Sequence, residues 1–286
     1  MNLSDLCYTP ASELTGMIMH KEISPVELIE AVIKRVNEIN PRLNAICTFT
    51  PEKALEEAKQ AEAAVQQRRP LGPLHGIPVT IKDLVFTNGI RTMGGSRIFE
   101  NRIPEFDGVV VTRLQQAGGI SLGKTTTPEF GWKGCSESPL TGISHNPWKE
   151  GMNAGGSSTG AAICAAAGMG PLHQGSDGAG SIRMPAGFCG VYGIKPTYGR
   201  VPYFPQNNND SISHLGPITR TVTDAALMLE VHMSKHAADY TSLAARADLR
   251  LLALCTILGV TTWTSLCRYL RGEALKLREI DYIGAA

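Results

Sequence analysis

Residues Gly175 to Gly187 read GSDGAGSIRMPAG, with Gly178, Ala179 and Gly180 directly before Ser181 and Arg183 two places beyond it. A stretch so poor in side chains buries little apolar surface and loses much backbone entropy on folding, so it must be a turn held in shape by its neighbours. Small residues in succession also let adjacent N–H groups converge on one point, a nest that holds an oxyanion. Taken alone, a plain glycine-rich turn is the simpler reading of these residues.

The wider pattern of glycine and proline places that turn in a fold. The chain has 30 glycines and 17 prolines, clustered between residues 70 and 220. Residues 1–70 read as helices. Ser24–Glu27, SPVE, is a capping box with proline at the first helical position, followed by Leu28, Ile29, Val32, Ile33 and Val36 at helical spacing. PEKALEEAKQAEAAVQQ is a second, more polar helix for the surface. The period then changes, and Ile77–Val85, IPVTIKDLV, alternates as a strand. DGVVVTRLQQAG predicts a helix, Ile120–Gly123 a short strand, TGAAICAAAG a helix, GVYGIKP a short strand and TVTDAALMLEVHM a capped helix. Strands alternating with helices predict an α/β sandwich around one sheet.

Composition narrows the function. A net charge of +1 without a long run of one sign argues against nucleic acid and an anionic membrane as partners. The seven cysteines are scattered, odd in number and free of C-x-x-C spacing, which argues against a zinc site or disulfide framework and fits reduced thiols in a cytoplasm. MNLSDLCYTP has neither the basic nor the apolar region of a signal peptide.

Two short motifs match and mislead. Gly118–Thr125, GGISLGKT, satisfies the phosphate-loop pattern, but a helix precedes its glycines, the strand lies inside it, and TTTPEFG is poor material for the helix that should follow. Gly156–Gly160, GSSTG, satisfies G-x-S-x-G around Ser158, yet PWKEGMNAG is not the apolar strand a nucleophile elbow needs. His173, His214, His232 and His236 stand in no patterned context and read as surface or core residues.

Three segments carry more. Lys82 follows Ile77, Val79 and Ile81 in the most strand-like part of the chain; taken alone, a solvated edge lysine is the simpler reading, and a buried one there has to be neutral. Gly155 and Gly156 lead into Ser157 and Ser158. Ser158 or Thr159 fits a helix N-cap, which leaves Ser157 over. The third segment is the turn that ends in Ser181.

In order, GPLHGIPVTIKD, GGSS and GSDGAGSIRMPAGFCGVYGIKPTYGRVP resemble the amidase signature family, as does GGISLGKTTTPEFG. The resemblance runs from about residue 3 to 245 and is dense from 72 to 220. It implies an α/β/α sandwich around a central mixed sheet, incomplete at the C-terminus, and a Ser–cis-Ser–Lys triad without metal or cofactor. Matching each motif assigns Ser181 as nucleophile, Ser157 as bridging cis-serine and Lys82 as base. The backbone N–H groups of Gly178, Ala179, Gly180 and Ser181 would form the oxyanion hole, with Asp177 and Arg183 supporting the loop by ion pairing. The family commonly has glycine where Thr159 and Ala179 stand; neither change touches the triad.

The implied activity is hydrolysis of a carboxamide to a carboxylate and ammonia through an acyl-enzyme. A glutaminase subunit of a tRNA-dependent amidotransferase, or a non-catalytic fragment, are the alternatives. Partners are then a small amide, and a second copy or amidotransferase subunits. The expected division is a partial amidase signature domain over 1–245, its helical region 1–70 and catalytic core 72–220, followed by a divergent tail, 246–286. The uncharged run Leu251–Cys267 is shorter than the roughly 20 apolar residues of a membrane span and reads as a buried segment; the tail as a whole has the look of a truncation or a shifted frame.

Overall fold

The computed structural model describes residues 3–205, 212–233, 236, 237 and 239. All of them lie in the first of the two units into which the chain divides, Met1–Ser242; the expectations for residues 246–286 fall outside the described residues.

Helices α1 (Leu3–Tyr8), α2 (Ala11–Met19) and α3 (Pro25–Leu43) open the chain. The capping box at the start of α3 is formed: Ser24 Oγ accepts the Glu27 N–H at 3.0 Å, and Glu27 Oε2 accepts the Ser24 N–H at 2.8 Å. Asn44 in the left-handed region ends the helix. Strand β1 (Ile46–Phe49) follows at once, so the region expected to be wholly helical contains a strand. It is too short to show a period of its own and exists because its neighbour in the sheet supplies the pairing.

Helix α4 (Pro51–Gln66) buries only alanines. Next come β2 (Pro78–Lys82), α5 (Val109–Gln116) and β3 (Ile120–Thr125). Two small ribbons join β4 (Glu137–Ser138) to β5 (Gly142–Ile143) and β6 (His145–Asn146) to β7 (Lys149–Asn153). Helix α6 (Thr159–Ala167), strand β8 (Leu172–Asp177) and helix α7 (Arg183–Cys189) follow, with Ser157 and Ser158 just before α6 and Ser181 between β8 and α7. Strands β9 (Tyr192–Gly193) and β10 (His214–Thr219) and helix α8 (Val222–His232) complete the described elements.

Six strands form one mixed sheet in the order β1-β3-β2-β8-β10-β9. Its centre is parallel, with β2 paired to β3 and to β8, and its flanks are antiparallel. Every residue of β2, β3 and β8 is buried, so both faces of the central strands are covered. That is why the alternation in IPVTIKDLV marks a strand but not an exposed face. Helix α6, almost wholly buried, packs on β2, β3, β8 and β10, while α8 packs on β8, β9 and β10. Arg35 and Arg220 donate to the carbonyls of Ala167 and Ala165, satisfying the C-terminal end of α6 with cations.

Candidate active site

Lys82 is the last residue of β2 and has no exposed surface. Its Nζ lies 2.7 Å from Ser157 Oγ, 3.0 Å from Ser158 Oγ and 3.0 Å from Ser176 Oγ. Burial among uncharged groups pulls its pKa down to about 7, against a smaller upward pull from the Asp177 carboxylate. The lysine is therefore poised between charged and neutral forms, inside a ring of three hydroxyls.

Ser157 follows a cis peptide bond to Gly156. A side chain at Gly156 would meet the Cys135 carbonyl oxygen at 2.5 Å, so only glycine fits beside this bond. Ser158 occupies the position before α6, yet its side chain caps nothing. Its hydroxyl instead donates to the Ser176 carbonyl at 3.0 Å and accepts the Ser176 N–H at 3.1 Å. The helix-cap reading of Ser158 is thus replaced by a bridge between Lys82 and β8.

Ser181 lies on the turn between β8 and α7, half-buried. With Ser157, Ser176, Gly178 and Ala179 it lines a cavity of about 270 Å³, walled on its apolar side by Leu84, Phe130, Trp132 and Met184. The Ser181 carbonyl accepts the Ser158 N–H at 3.0 Å, which staples the two serine segments together. The structure brings Lys82 and Ser157 into contact and sets Ser181 in the cavity that Ser157 lines. Among the described residues it gives the Ser181 hydroxyl no hydrogen bond to Ser157.

Asp177, with no exposed side-chain surface, organises that turn. Its carboxylate accepts N–H groups from Gly180 at 2.7 Å and Ile182 at 3.1 Å, and pairs with Arg183 Nε at 2.9 Å and Nη2 at 3.0 Å. Burial pushes its pKa up, but the Arg183 hydrogen bonds and the three backbone donors of Gly180, Ile182 and Arg183 outweigh it and hold the carboxyl down at about 2. The Gly180 N–H, one of the four donors expected of an oxyanion hole, is therefore engaged by the Asp177 carboxylate.

Sequence reasoning missed Ser176. Ile81 pairs with Gln174, so strand alternation by itself assigns Lys82 and Ser176 to different faces, and the 3.0 Å contact between them arises only where β2 ends.

The misleading motifs resolve structurally. Strand β3 runs through GGISLGKT and no helix begins at its Lys-Thr, so the phosphate-loop context is absent. Lys124 is fully buried, donating to the Val85 carbonyl, to Thr87 Oγ1 at 2.8 Å and to Thr92 Oγ1 at 3.0 Å. His173 is held between Thr80 Oγ1 and the Gly170 carbonyl, and burial drives it down to about 3. Among the described residues no histidine lines the Ser181 cavity and no cluster of three His, Cys, Asp or Glu is placed to hold a metal. No helix among them is long and apolar enough to cross a membrane.

The chain is similar to known proteins in the same region. The family model described as Amidase matches residues 27–264, past the boundary near 245 that the motifs suggested. An acylamidase of Rhodococcus erythropolis is 44% identical over 244 residues, 85% of this chain and 51% of its own length. The GatA-type component of the glutamyl-tRNA(Gln) amidotransferase of Moorella thermoacetica is 43% identical over 239 residues, 83% of this chain and 49% of its own. A solved bacterial aryl acylamidase of the amidase signature family superposes with a TM-score of 0.78 at 34% identity, covering 82% of this chain and 49% of that one. The chain spans about half the length of the curated relatives it matches. Sheet order, family model and relatives agree, and the chain belongs to the amidase signature family.

Proposed function

We propose that the chain carries the hydrolytic centre of an amidase, with Ser181 as nucleophile, Ser157 as proton bridge and Lys82 as base. The observation that carries this reading is the contact of 2.7 Å between Ser157 Oγ and the Nζ of a fully buried lysine whose pKa lies at about 7. A serine hydroxyl is a weak nucleophile until a base takes its proton. Neutral Lys82 has a lone pair for the Ser157 proton, and Ser157 can in turn accept the proton of Ser181. Substrate closes the gap between the two serines, because apo geometry is commonly looser than that of the reacting complex.

Attack of Ser181 Oγ on the amide carbonyl forms the C–O bond and drives negative charge onto the carbonyl oxygen. The N–H groups of Gly178, Ala179 and Ser181 stabilise that charge. The proton held by Lys82 returns through Ser157 to the leaving nitrogen, the C–N bond breaks, and ammonia departs. Water, deprotonated by the same route, then releases the carboxylate from the acyl-enzyme.

A second reading, the ammonia-producing component of a tRNA-dependent amidotransferase, is supported by the likeness to the Moorella protein. It uses the same chemistry on glutamine. Ammonia release from a panel of simple amides and from glutamine separates the two. Mass spectrometry should find the acyl group on the peptide containing Ser181, with Ser181→Ala abolishing both adduct and turnover. Turnover kept by Ser181→Ala and lost in Ser158→Ala would replace this assignment with the G-x-S-x-G serine.

A further inference from the structure

Lys124 has no part in the chemistry above, yet it is buried as completely as Lys82. Its three hydrogen-bond acceptors, the Val85 carbonyl, Thr87 and Thr92, all belong to the segment 83–96 that leaves β2 immediately after Lys82. Asp83 fixes the same segment from its other limb. Its carboxylate accepts the Met93 N–H at 3.1 Å and the Gly95 N–H at 3.4 Å, and its carbonyl accepts the Gly94 N–H at 2.9 Å. Asp83 N–H donates to the Thr125 carbonyl at 3.1 Å, so both limbs are tied to the end of β3.

The loop passes this constraint to the cavity wall. The Gly94 carbonyl accepts the Phe130 N–H at 2.8 Å and holds Phe130 at φ 52°, a left-handed backbone that few aromatic residues adopt. Leu84 packs against Gly94 and Gly131, and Gly131 lies beside Ser157. Leu84 and Phe130 line the Ser181 cavity on one side and, on the other, a second cavity of about 370 Å³ formed mostly by apolar groups such as Phe86, Phe99, Tyr203 and Leu215, with the Arg102 guanidinium over the Phe86 and Phe99 rings. These two side chains are the partition between the reacting serine and an apolar annex.

We propose that Lys124 is a positioning residue: through the loop it shares with Asp83 it holds Leu84 and Phe130 in place, and so limits the size of the apolar group an amide can carry into the site. The inference rests on the reading of the Ser181 cavity as the amide site. Loosening the tether merges the cavity with the annex and favours larger apolar groups over small ones.

The test compares propionamide with 4-phenylbutyramide, and the two acids their hydrolysis gives. Binding of the acids is read from the fluorescence of Trp132, which lines the Ser181 cavity, with Trp132→Phe as the blank. Lys124→Met is expected to shift the ratio of dissociation constants at least tenfold toward phenylbutyrate. The ratio of KM values should move the same way, while the pH limb of kcat/KM set by Lys82 stays in place. Leu84→Ala should shift the ratio in the same direction without touching the tether. If Lys124→Met does not fold, the pair Thr87→Val and Thr92→Val removes two of its acceptors and must produce the shift instead. A uniform loss for both compounds, or no shift beside a clear one in Leu84→Ala, overturns the positioning role. No shift in Leu84→Ala overturns the partition. A shifted binding ratio in a chain that hydrolyses neither amide leaves this inference standing and removes the hydrolytic reading.

Discussion

Lys82 is costly where it stands, and that cost has a sign. Its ordinary pKa of 10.5 falls to about 7 in the folded chain. Below pH 7 the amine is charged in both states and the folded chain bears the full burden of a buried cation. As pH rises from about 7 toward 10.5 the unfolded chain holds the extra proton, so folding stability increases. At about 1.4 kcal/mol per pKa unit, the gain from pH 7 to pH 10 is on the order of 3 kcal/mol. Lys82→Met is expected to be inactive yet more stable than the parent at pH 7, with the difference shrinking toward pH 10; denaturant melts of both chains over that range check it. In the same group lies the expected pH profile of kcat/KM, which rises through a limb near pH 7 as the lysine loses its proton. A flat profile would remove Lys82 as the base.

The turn from β8 into α7 holds its shape through one carboxylate. Asp177→Ala would strand the buried N–H groups of Gly180 and Ile182, and that of Arg183, at about 1–3 kcal/mol for each left unpaired. Loss of about 3 kcal/mol or more, and of all turnover, is expected, read by thermal melts and ammonia release. Arg183→Ala should cost about 1 kcal/mol or less, because the guanidinium side of the pair is solvent-screened. Strands and helices of this length were legible where a local signal fixes them. The SPVE box, the alanine run of α6 and the apolar run of β2 each carry one. GVYGIKP, read as a short strand, contains β9, whereas β1, β8 and β10 carry no such signal, because pairing across the sheet makes them. Around the cavity, Lys82, Ser157 and Ser181 stand out in the sequence only through the ordered motifs of the family resemblance. Ser176, and the loss of the Gly180 N–H to Asp177, depend on side-chain directions that no spacing encodes.

At the scale of the molecule, β9 pairs with β10 at Ile218 and Thr219, and the chain beyond β9 continues along β10: Ile194 N–H donates to the Pro217 carbonyl at 3.3 Å, and the Tyr198 and His214 rings meet edge to face. Trp132, 83% exposed, and Ile98, 76% exposed, leave apolar surface uncovered on this unit. The chain is expected to associate at micromolar concentration, seen as a concentration-dependent sedimentation coefficient. Ile98→Lys, a charge in place of an exposed apolar side chain, should weaken the association. A single monomeric species over that range would show that these side chains do not drive association. The order of strands also sets a clock. The groups that ring Lys82 lie 75 to 94 residues further along the chain. At roughly 5–20 residues per second, a ribosome needs roughly 5–20 s after making the lysine before Ser176 exists to meet it. Throughout that interval Lys82 is an ordinary hydrated cation. Its burial waits for β8 to dock against β2, so the surroundings that lower its pKa are assembled from segments made many seconds apart.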